Sequence, residues 1–315
     1  MPTAREVIEQ HPTNEIETPN ITSYTNKTWA QGFKSITNFC KGTRVDPNTG
    51  IFHSNFDHAP HPLDNDDEKR LKEPAAFPNL RSWRLETEAD IEHWWHTEIS
   101  DPVLSAWAKY PRLQQTCHTQ PLSNISIAEN IDATYAMYMG NLRVPVVIGE
   151  IKRNLIDQDV WQSGALTEAQ TKLARELRGY AVKYECPQVF CWDGRTLLLL
   201  QFRAQMASQM LAEDCPVDCW VIPINNSNCT FRYALYRLLA QGFRRCQTIS
   251  APLPTVAGLT ASDREFYTGR PIWTVYGVHS LDHPLGHFRR ADAESGALGW
   301  RNHDGDVTWE TEALW

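Results

Sequence analysis

The fragment IDATYAMYMGNLRVPVVIGEIKRN, residues 131–154, holds two acidic side chains and a lysine in a pattern suited to metal-assisted hydrolysis. Glu150 and Lys152 lie two apart in a β-branched, apolar run, so on a strand both side chains share one face. Asp132 opens the preceding strand-like run. A hairpin through Gly140-Asn141 would bring that opening beside the end of the second run. Two converging carboxylates suit a hard divalent cation, Mg²⁺ or Mn²⁺, which takes oxygen ligands and keeps several waters. The Ile151 carbonyl, between the two side chains of the second run, can complete that set. Such a cation polarises a phosphate and makes hydroxide accessible near neutral pH. Lys152 would hold or deprotonate the attacking water, or neutralise charge in the transition state. The competing reading is an ordinary strand-end ion pair, worth about 0–1 kcal/mol if exposed.

Positioning these groups requires a hairpin and helices to cover it. Ile91, Trp95 and Ile99 recur at helical spacing from a start near Glu86, and Asp101-Pro102 reads as the cap of a second helix running to about Lys109. Residues 131–139 and 144–151 read as strands. Residues 167–183 read as a helix whose buried stripe is Leu173, Leu177, Tyr180 and Ala181, with Thr167 and Gln170 spaced as a capping box. Residues 188–192 and 196–202 form a hairpin through Asp193-Gly194, residues 218–224 another strand, and residues 231–243 an amphipathic helix. This order predicts a mixed α/β domain over residues 79–250. Residues 1–78 are polar and aperiodic and are expected to be partly disordered. Residues 251–315, punctuated by Pro and Gly, are expected to form a C-terminal extension.

Composition narrows the possibilities. The 315 residues are 42% hydrophobic with 12 Trp, enough for a sizeable core. The net charge of −8 argues against a general nucleic-acid-binding coat, but not against a local cluster: Arg153, Arg175 and Arg178 are candidates for holding phosphates beside Lys152. No apolar run is long enough to span a bilayer, and Met1 is not followed by a basic and then apolar leader, so an intracellular, nuclear or cytoplasmic location is expected. Eight cysteines then read as reduced thiols, and the pairs Cys186/Cys191 and Cys215/Cys219 lack zinc-ribbon spacing. His279, His283 and His287 recur every four residues, but Pro284 and Gly286 argue for a loop rather than a metal-binding helix.

Ile131-Asp132 followed by Gly149-Glu150-Ile151-Lys152 resembles the signature of the PD-(D/E)xK nuclease superfamily, with Ile in place of the loosely kept Pro. The helix TEAQTKLARELRGYAVKY and the run QVFCWDG are similar to its fungal nuclease-like branch. The resemblance covers roughly residues 85–225. It implies a restriction-endonuclease-like core, a small central mixed sheet flanked by helices, acting on nucleic acid, DNA rather than RNA. It implies Asp132, Glu150 and Lys152 as the catalytic set, with metal at Asp132, Glu150 and the Ile151 carbonyl. Some branches add a Gln four residues before a Tyr on the following helix; here Glu176 precedes Tyr180. That departure keeps open a nuclease fold that binds without cutting. The first helix of the family often lends a glutamate, for which Glu92 and Glu98 are both candidates.

Overall fold

A computed structural model describes every residue except 20, 24, 62, 64, 110, 111, 120–129, 140 and 315, so Gly140 of the expected turn lies outside the described residues. Seven strands form the central sheet: β1 (Phe39–Lys41), β2 (Gln114–Thr119), β3 (Ile131–Met139), β4 (Leu142–Ile151), β5 (Gln188–Trp192), β6 (Thr196–Phe202) and β7 (Val217–Pro223), in the order β1-β7-β6-β5-β4-β3-β2. The β1/β7 and β4/β5 pairs are parallel and the other four are antiparallel, so the sheet is mixed. Every residue of β5, β6 and β7 is buried. Their near-continuous apolar runs follow from cover on both faces.

Three helices supply that cover. α1 (Glu88–Trp94) starts at a Thr87/Asp90 capping box and buries Ile91 and Trp94. α2 (Glu168–Lys183) lays Leu173, Leu177 and Tyr180 on one face of the sheet, and α3 (Phe231–Ile249) lays Leu235, Leu239 and Phe243 on the other, where α1 also packs. The fold is mixed α+β, as expected.

Three expectations change. Asp101-Pro102 does not start a separate helix: Ser100 and Asp101 keep helical dihedrals, and a π-helical turn, Trp95–Ser100, joins α1 to Asp101–Leu104. Pro102 cannot donate to the Glu98 carbonyl, and that carbonyl accepts instead from Arg232 Nε at 2.7 Å. The Thr167/Gln170 capping box does not form, because Gln170 accepts from Trp161 Nε1 at 2.6 Å and donates to the Leu155 carbonyl at 2.8 Å. The first 78 residues are not loosely attached: Ala4, Val7 and Ile8 are fully buried, and Thr230 Oγ1 donates to the Ile8 carbonyl at 2.6 Å. Trp29 stacks edge-on against Tyr180, and β1 extends the sheet. Residues 251–314 form short antiparallel pairs around buried Trp273 and Trp300, tied to the core by Gln188 Nε2, which donates to the Tyr267 carbonyl at 3.0 Å. His283 lies in that cluster with Nε2 3.3 Å from the Val256 carbonyl, a packing role in a loop, as the Pro and Gly around it require.

Candidate active site

The carboxylates meet because of an irregularity. From Met139↔Leu142 the β3/β4 ladder runs in step to Ala136↔Pro145, then slips by one residue so that Tyr135 faces Val147 and Ala133 faces Gly149. Without the slip Asp132 would fall across from Gly149; with it Ala133 pairs with Gly149, and one further step of the same register sets Asp132 opposite Glu150. One residue of register decides which face a side chain occupies. Pro145 marks the place, since proline has no N–H for the ladder and sits in sheets at bulges or edges. The Ile151 N–H donates to Asp132 Oδ2 at 2.6 Å and fixes that carboxylate at the strand end.

Glu150 and Lys152 project from the end of β4 toward α2. Lys152 Nζ donates to Glu150 Oε1 and lies 3.2 Å from Glu176 Oε1. Thr25 donates its hydroxyl to Glu176 Oε2, so the N-terminal segment covers this side of the site. Glu150, Lys152 and Glu176 are buried, whereas the Asp132 side chain keeps 22% of its surface. Glu150 Oε2 is buried with no hydrogen-bond partner among the described residues.

The electrostatics follow from three carboxylates facing one ammonium. Burial raises the pKa of Glu150 well above its ordinary value; Lys152 opposes this, and Asp132 and Glu176 reinforce it. Burial also raises Asp132, against the pull of the Ile151 N–H and Lys152. For Lys152 burial works against the charged form, but Glu150 and Glu176 outweigh it and hold the ammonium charged. The set therefore favours an additional proton or cation. A hard cation fits: Glu150 Oε2 is an orphaned buried acceptor, and Asp132 stands across the ladder from it.

The expected arginines divide. Arg153 donates to the Glu86 carbonyl, and Arg175 is half-buried on α2. Arg178 does not join a phosphate-holding patch. It is fully buried, and its guanidinium donates to the carbonyls of Met210, Ala212 and Ser35. Arg178→Ala is expected to cost about 3 kcal/mol, the upper range for leaving buried acceptors unpaired, read as a lower urea midpoint. A variant of unchanged midpoint would return Arg178 to the surface role.

Packing sets Glu92 and Glu98 in different surroundings. Glu98 is buried, accepting from Asn14 Nδ2 at 2.7 Å and Trp83 Nε1 at 2.8 Å. Glu92 instead faces His118 at 3.3 Å, and the other ring nitrogen of His118 lies 3.7 Å from Asp132 Oδ1. His118 and Thr25 were not singled out from the sequence; their pairing with the site depends on contacts remote along the chain. Neither the 710 Å³ cleft lined by His11, Asn14 and Arg195 nor the 1330 Å³ groove lined by Met139, Ser250 and Trp309 includes these residues.

No protein-family model, curated protein or solved structure matches this chain. Among the described residues no helix is long and apolar enough to cross a membrane.

Proposed function

We propose that the chain is a metal-dependent nuclease with a restriction-endonuclease-like core, hydrolysing phosphodiester bonds in DNA in preference to RNA. The observation that carries this reading is the orphaned Glu150 Oε2, buried beside Lys152 on a strand end that Asp132 faces. Asp132, Glu150 and the Ile151 carbonyl would hold Mg²⁺ or Mn²⁺, which would supply charge neutralisation on the phosphate and an acidified water. Lys152 would orient that water or stabilise the leaving charge once its grip on Glu150 loosens. On this reading the substrate places the protein in the nucleus or cytoplasm.

A second reading, a nuclease fold that binds without cutting, is favoured by a specific observation. Lys152 is held between Glu150 and Glu176, where some branches of the superfamily carry a neutral Gln, and Thr25 covers Glu176. The net charge of −8 and the loss of Arg178 from the cationic face point the same way.

Cleavage of plasmid and single-stranded DNA with Mg²⁺ or Mn²⁺ separates the two. The wild type is expected to cut only with metal, and Lys152→Ala and Glu150→Ala to lose about 10²–10⁴-fold in rate, as for removal of an acid–base group. Folded wild-type protein that cuts with neither metal would establish the binding module in its place.

A further inference from the structure

Beside the carboxylate set lies a cluster of different chemistry. Glu92 and His96 are one helical turn apart, so they share a face. That face meets Cys117 on the edge strand β2. His96 Nε2 is 3.3 Å from Glu92 Oε1 and 3.2 Å from Cys117 Sγ, and the three donor atoms all lie within 4.8 Å of one another. A tetrahedral Zn²⁺ with bonds of about 2.0–2.3 Å sets its ligand atoms about 3.3–3.7 Å apart. The observed separations are close to that without rearrangement.

We infer that Glu92, His96 and Cys117 form a binding site for a borderline-soft divalent cation of the Zn²⁺ class, separate from the hard-cation pair Asp132 and Glu150. Donor type carries the distinction. A thiolate and an imidazole select zinc-like ions, whereas Mg²⁺ takes oxygen. The Gln115 amide sits on His96 Nδ1; turned so that its oxygen faces the ring, it accepts the Nδ1–H and leaves Nε2 for the metal, the contact that ordinarily fixes a ligating histidine. Cys117 is the exposed one of the eight cysteines, so ions reach it from solvent. Three protein ligands leave the fourth position for water, the pattern of sites that do chemistry rather than hold structure. His118, against the other Glu92 oxygen and next to Asp132, links the two sites. The cysteine pairs lack zinc-ribbon spacing, and this cluster, joining a helix to a strand, carries no short motif in the sequence.

The inference does not depend on DNA cleavage and is tested without it. The full chain is titrated with Co²⁺ and followed by absorbance. One equivalent is expected to produce a thiolate-to-cobalt charge-transfer band in the near ultraviolet, and Zn²⁺ is expected to abolish it. Cys117→Ser should remove the band, and His96→Gln should weaken Co²⁺ binding at least about tenfold. Asp132→Asn should keep the band, which separates this site from the hard-cation pair. Circular dichroism confirms that each variant is folded. Absence of the band in the wild type, or its survival in Cys117→Ser, would overturn the assignment.

Discussion

Replacing Lys152 by methionine is expected to lower the unfolding free energy by about 3–5 kcal/mol at neutral pH, the cost of removing one partner from a buried ion pair. Methionine keeps the length of the side chain and removes only its charge, so packing contributes little to the loss. The ammonium is the charge that faces Glu150 and Glu176, and both are buried. Without it Glu150 must stay ionised in an apolar setting or hold a proton. Its pKa is already raised by burial and would rise further.

The pH dependence has a definite sign. A carboxyl group with a raised pKa in the folded state binds more protons folded than unfolded. Stability is therefore present at low pH and lost as pH rises from the ordinary carboxylate range through the folded value. Wild type and Lys152→Met should differ least in mild acid and most in mild alkali, as read by urea unfolding at both. A difference below about 1 kcal/mol that does not change with pH would mean the pair behaves as a solvated surface pair. That result would also undercut the metal site, whose orphaned acceptor depends on the same burial.

The hairpin and both long helices were legible in the sequence because their signals are local. Val146, Val147 and Ile148 are β-branched and buried on the strand; Leu173, Leu177 and Tyr180 recur at helical spacing and face the sheet. Asp193 shows why its turn was readable: Oδ1 accepts from the Arg195 and Thr196 N–H groups, three residues or fewer away. What escaped was decided by distant partners. Arg178 has the spacing of a solvated helix residue, and only carbonyls from two distant stretches, Met210/Ala212 and Ser35, make it a buried tie. Ala4 and Ile8 are too short a stripe to announce a core helix, and become one because α3 and Thr230 receive them. Gln170 had a local partner available and took remote ones. At the site, the type of each residue was legible and the company it keeps was not: Glu150 with Lys152 follows from a strand, but Thr25 on Glu176 does not.

Gly242→Ala should be the most damaging single-carbon addition in α3. A Cβ there would lie 2.0 Å from the Val146 carbonyl oxygen, and a backbone atom cannot swing aside as a side chain can. Within a helix, Gly to Ala ordinarily stabilises by about 1 kcal/mol. The sign of the effect therefore decides the matter, because only close packing against β4 reverses it. A loss of about 3 kcal/mol is expected, the upper range for an overpacked core. Gly32→Ala, where a Cβ meets nothing within 4 Å, serves as the control and should stay within about 0.5 kcal/mol of wild type. Val146 is also the residue left over where the β3/β4 register slips, the slip that brings Asp132 opposite Glu150. Pressing on its carbonyl therefore strains the device that assembles the carboxylates. If the proposed nuclease activity holds, Gly242→Ala should lose cleavage at temperatures where it remains folded, and a Gly242→Ala protein that is more stable than wild type would show that α3 does not clamp the bulge.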